Sequence, residues 1–112
     1  MEKIIAKVAA LGVPGLILVV AMAASGFTGA AAITVALAAL GPGGIIGGLV
    51  FLGVAGLLAD GLTKYGFDKI FTGVVKELYR KGETKASILE KIEKYPVSKS
   101  LKRKLKEELE KL

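Results

Sequence analysis

The stretch VAALGVPGLILVVAMAASGFTGAAAITVALAALGPGGIIGGLVFLGVAGLLA, residues 8–59, contains no charged side chain. A run this long and this apolar exceeds what one buried helix of a 112-residue water-exposed domain needs, and it reads as membrane-embedded. Around it the composition changes abruptly. Glu2, Lys3 and Lys7 precede it, and from Asp60 onward fourteen Lys and Arg stand against nine acids. The net charge of +6 therefore sits almost entirely after the apolar run. A basic segment beside an apolar one fits an anionic bilayer surface, worth about 1 kcal/mol per cation near the headgroups. Nucleic acid is the other acidic partner, and no nucleic-acid-binding motif accompanies the charge.

Glycine and proline divide the run. Residues 2–11 read as a short lead-in helix, with Ile4, Ile5, Val8 and Leu11 at 3/4 spacing. Gly12-Val13-Pro14-Gly15 interrupts it, as a kink or a new helix start, because Pro14 lacks an N–H and restricts Val13. Residues 16–24 continue as apolar helix. Gly26, Phe27, Thr28 and Gly29 form a membrane turn, and residues 30–40 are Ala-rich and helix-forming. Gly41-Pro42-Gly43-Gly44 is the clearest turn, followed by a third apolar segment over 45–62.

A bilayer core takes about 20 helical residues to cross. Residues 12–40 as one kinked span and 45–65 as a second give a helical hairpin. Three shorter tilted helices are the other reading. Lys3, Lys7 and the basic tail all belong on the cytoplasmic side, which requires an even number of spans and favours the hairpin. A secretory signal is the competing reading of the N-terminus, with Ala21-Met22-Ala23 resembling a cleavage site. The apolar run continues for some thirty residues beyond it, so an uncleaved anchor is expected. The fold class is all-α, in three parts: a membrane-embedded helical region over 1–65, an amphipathic interfacial helix over 66–82 and a basic C-terminal helical hairpin over 83–112.

Phe67, Ile70, Phe71, Val74, Val75, Leu78 and Tyr79 make one helical stripe, opposite Asp68, Lys69, Lys76 and Arg80. This pattern fits a helix lying in the interface plane, anchored by Lys64, Tyr65, Phe67, Phe71 and Tyr79. It fits equally a helix packed on the tail or on another subunit. Gly82 caps its C-terminus. Thr84 opens a helix carrying Ile88, Leu89 and Ile92. After Tyr95-Pro96, Ser98 caps a last helix carrying Leu101, Leu105 and Leu109. This hairpin is the candidate site for a protein partner.

Gly43/Gly47 and Gly44/Gly48 repeat at four-residue spacing, and Gly53 and Gly56 continue the small residues. In lipid such residues let backbones approach closely. They predict self-association into a homo-oligomer, or packing against 30–40 within one chain. Asp60 and Lys64 read as an interfacial ion pair at the end of the apolar run, with a pore mouth as the sharper alternative. The chain has no Cys and no His. No nucleophile lies near a base, no phosphate-binding glycine loop precedes a Lys-Thr, and no catalytic residue, metal or cofactor is expected.

Gly-Val-Pro at 12–14, Ser25-Gly26-Phe27-Thr28-Gly29-Ala30, the Ala-rich helix, Gly43-Gly44 and Gly61-Leu62-Thr63-Lys64 together resemble the interferon-alpha-inducible family of small hydrophobic membrane proteins. The resemblance covers residues 12–64, and the tail over 84–112 has no counterpart in it. It implies a non-enzymatic membrane protein linked to immunity or cell death, acting on membrane integrity as a defence effector, toxin or holin-like pore former. A membrane-anchored adaptor, with 84–112 as the recognition unit, is the alternative. An oligomer that buries the apolar half between subunits in water is a third.

Overall fold

The computed structural model describes residues 1–24, 48–95 and 99–112, and for residues 48–52 the backbone only. All six helices among the described residues are α-helices: α1 (Glu2–Ala9), α2 (Val13–Ala24), α3 (Gly48–Tyr65), α4 (Phe67–Arg80), α5 (Lys85–Lys94) and α6 (Lys99–Glu110). The expected turn at Gly26, Phe27, Thr28 and Gly29, the Ala-rich segment, the turn at 41–44 and the Ser98 cap lie outside the described residues.

The fold is organised around α2. Its sequence, VPGLILVVAMAA, has no polar face to turn toward water, and a helix apolar all round must be enclosed. It is: Leu16, Ile17, Leu18, Val19, Val20 and Met22 have no accessible surface. Each of the other five helices contacts α2. Those five supply one apolar face each. Ile4 and Val8 come from α1, Val54, Ala55, Leu58 and Leu62 from α3, and Ile70, Phe71, Val74, Val75 and Leu78 from α4. Ile88 and Ile92 come from α5, and Leu101, Leu105 and Leu109 from α6. One core cluster joins them all.

The chain enters α2 through a sharp corner, where the axes of α1 and α2 turn by 119°. Leu11 N–H donates to the Val8 carbonyl at 3.1 Å and Gly12 N–H to the Ala9 carbonyl at 2.9 Å, tightening the end of α1. Gly12 then takes φ +75°, a left-handed conformation that glycine adopts without the steric cost a Cβ brings. Pro14 falls in the first turn of α2, where its missing N–H costs nothing. Gly15 closes the corner. A Cβ there would run into the Val8 carbonyl oxygen and sit 3.0 Å from the Val8 carbonyl carbon.

The second half is punctuated as its sequence predicts. Gly82, at φ +104°, ends α4. Its N–H donates to the Tyr79 carbonyl, and the Glu83 N–H to the Leu78 carbonyl, both at 3.0 Å. This double closure is a Schellman motif. Thr84 opens α5 with a reciprocal cap: Ser87 N–H donates to Thr84 Oγ1 at 3.0 Å and Thr84 N–H to Ser87 Oγ at 2.8 Å.

Two expectations change. First, the α4 stripe is covered by α1, α2 and α3 rather than facing outward, so the helix expected in the interface plane is here a wall of the bundle. Close fit explains why: Ile5 of α1 seats where a side chain at Gly73 would stand. Second, among the described residues no single helix is long and apolar enough to cross a membrane. The α1–α2 pair meets that condition of length and composition only when its two bent parts are taken together.

Candidate functional site

The feature with the greatest functional content is the enclosed apolar helix together with what encloses it. The outer faces of α1, α4 and α6 are polar and carry most of the exposed cations. Lys3 and Lys7 of α1, Lys69, Lys76 and Arg80 of α4, and Lys99, Arg103 and Lys104 of α6 are exposed. Among the described residues the interior is apolar apart from Glu108, which is 7% exposed and bridges Lys111 at 3.2 Å and Lys104 at 3.8 Å. No buried side-chain nitrogen or oxygen among the described residues lacks a partner.

Ion pairs fasten the outer helices to one another. Glu83, in the turn after α4, accepts from Lys91 Nζ at 2.6 Å and from Ser87 Oγ at 2.7 Å. The Lys91 hydrogen bond, aided by that of Ser87, holds the Glu83 carboxyl below its usual pKa. Glu93 of α5 pairs with Lys106 of α6, whose hydrogen bond lowers the Glu93 pKa. Lys102 Nζ donates to the Glu93 carbonyl at 2.9 Å. These contacts lie at the surface, where single ion pairs contribute little stability. They tie α5 to the turn after α4 and to α6.

The expected site residues divide clearly. Among the proposed anchors, Tyr65 and Tyr79 stand exposed, and Lys64 is an exposed partner of Asp60 at 3.4 Å. Phe67 is half-buried and stacks on Phe71, with centroids 5.3 Å apart. Phe71 itself is 1% exposed and belongs to the core, not to an outward anchor. The Met1 ammonium donates to Tyr65 Oη at 3.4 Å, tying the N-terminus to the end of α3.

The hairpin residues expected to receive a partner are turned inward. Ile88, Ile92, Leu105 and Leu109 have no accessible surface, Leu101 is nearly enclosed and Leu89 is half-buried. They close over α2 and over each other because α2 offers an apolar surface that water cannot solvate.

Of the glycines expected to pack helices, Gly43, Gly44 and Gly47 lie outside the described residues, and Gly48 begins α3. Gly53 and Gly56 lie on the outward side of α3, with open space where a Cβ would project. The glycines that do mediate close contact are others. Gly15 sits against the Val8 backbone, Gly73 against Ile5, and Gly61 has Ile4 Cδ1 3.0 Å and Ile70 Cδ1 3.4 Å from an added Cβ. Spacing alone does not find these, because each pairs with a residue distant in the helical pattern. Among the described residues no three Asp or Glu side chains converge as metal ligands.

No family model matches the chain, and no curated protein or solved structure matches it. The resemblance over residues 12–64 therefore rests on those residues alone.

Proposed function

We propose that this chain is a non-enzymatic, membrane-active protein that binds anionic bilayers, self-associates there and alters membrane integrity. One observation carries the reading. A helix with no polar face, inside an uncharged run of 52 residues (8–59), is covered by five helices, of which α1, α4, α5 and α6 are amphipathic and carry most of the exposed cations. Such a helix has two stable surroundings, a protein sheath or lipid acyl chains. The sheath helices have matching alternatives, since a helix with one apolar stripe and a cationic face lies well at a headgroup boundary. In this reading the compact bundle is the form that approaches the membrane. The embedded form carries the apolar half as a helical hairpin with both termini on the cytoplasmic side, α4 at the interface, and Gly53 and Gly56 in contact between copies.

The adaptor alternative finds less support. The apolar residues that would grip a partner are occupied in covering α2.

The test is dye release from anionic vesicles as a function of protein-to-lipid ratio, with neutral vesicles alongside. Release that rises more steeply than linearly, and more strongly on anionic lipid, supports a cooperative assembly. Protein bound to the vesicles without release overturns the permeabilising role.

A further inference from the structure

The α1–α2 corner is built so that it can be undone. The two helices together pass the length and composition of a membrane span, but they are folded back by 119° across a three-residue break. That break consists of Ala10, Leu11 and Gly12, with no side chain that would obstruct a continuous helix. Gly12 alone holds the left-handed turn. Straightened, residues 2–24 would measure about 34 Å at 1.5 Å per residue, against a hydrocarbon core of about 30 Å. Lys3 and Lys7 lie at one end, where long cationic side chains reach the headgroups. Pro14 would leave a kink of the kind tolerated inside membranes.

We propose that Gly12 is the hinge by which the bundle converts to its inserted form, α1 and α2 joining into one membrane-crossing helix. This deepens the membrane activity proposed above and rests on it. Gly15 makes the two states distinguishable by mutation. Any side chain at Gly15 meets the Val8 carbonyl in the bent corner. In a straight helix Val8 and Gly15 are two turns apart, and the conflict disappears.

Lys3 and Ala24 are exposed near the two ends, and the chain has no native cysteine. Spin labels on Lys3→Cys/Ala24→Cys in the full chain therefore report the corner directly by pulsed electron resonance. Helices of 8 and 12 residues bent by 119° place the labels about 16 Å apart, and straightening extends this to about 32 Å. The expected result is a short distance in buffer and a long one on anionic vesicles. Adding Gly15→Ala should shift the mixture toward the long distance at several-fold lower lipid. Should that variant fail to fold in buffer, Gly12→Ala, whose Cβ meets only Pro14 Cδ at 3.8 Å, should shift it the same way. A distance that stays short while the same sample releases dye overturns the hinge and leaves the membrane activity standing. Lengthening without release upholds the hinge and removes the permeabilising role. A short distance with no release overturns both.

Discussion

Leu105→Ala is the substitution that separates a stored membrane helix from an ordinary core helix. Leu105 has no accessible surface, on the face of α6 that closes over α2. Truncating a buried leucine removes three carbons and leaves a partly filled void, costing about 3 kcal/mol. For a chain of 112 residues that lowers Tm by roughly 12 °C. If, in the proposed lipid-bound form, the apolar stripe of α6 rests on the headgroup boundary, the lost carbons cost only about 1 kcal/mol there. The balance of about 2 kcal/mol should lower the lipid needed for half-maximal dye release on the order of 30-fold. Thermal unfolding by circular dichroism and a lipid titration of release on one preparation give both numbers. A lowered Tm with an unchanged or higher lipid requirement would refute the exchange of sheath for lipid. An unchanged Tm would refute the packing itself.

Further outcomes follow from local features. Thr84→Ala removes the hydroxyl that caps α5 and should cost about 1 kcal/mol in thermal unfolding; a loss below a few tenths would mean the cap does not hold in solution. Gly82→Ala puts a Cβ at φ +104° and should lower Tm by a few degrees, about 1 kcal/mol, without changing helix content. The Glu83 carboxyl is held below its ordinary value of 4.5 by Lys91 and Ser87. A depressed folded-state pKa contributes stability above the unfolded value, and this is lost as pH falls through the folded one. Tm should therefore drop below about pH 4.5, and Glu83→Gln should reduce the slope of that drop. An identical slope in the variant would remove Glu83 from the explanation.

Much of the secondary structure was legible because its signals are local. The α4 stripe, the Gly82 stop, the Thr84 start and the break at Gly12–Pro14 each depend on a few neighbouring residues, and the structure shows all four. Gly66, at φ +87°, separates α3, which ends at Tyr65 as the 45–65 segment does, from α4. What encloses α2 was not legible at all. An apolar helix satisfies its composition equally in lipid and inside a bundle, and nothing in VPGLILVVAMAA chooses between them. The same ambiguity hid the direction of Phe71, Ile88 and Leu105, whose stripes fit a headgroup boundary as well as they fit α2. Gly15, Gly61 and Gly73 are not legible as contact points, because each meets α1 and the α1 corner that brings them there is a tertiary feature.

The central claim is that α2 exchanges its protein sheath for acyl chains. Photo-crosslinking of the unmodified chain from lipids carrying a diazirine at the acyl terminus, mapped by peptide mass spectrometry, tests it most directly. The account predicts adducts within Val13–Ala24 on anionic vesicles and none there in detergent-free buffer with dispersed probe. Vesicle-bound protein whose adducts fall only on residues exposed in the bundle, such as Tyr65 and Tyr79, would contradict it.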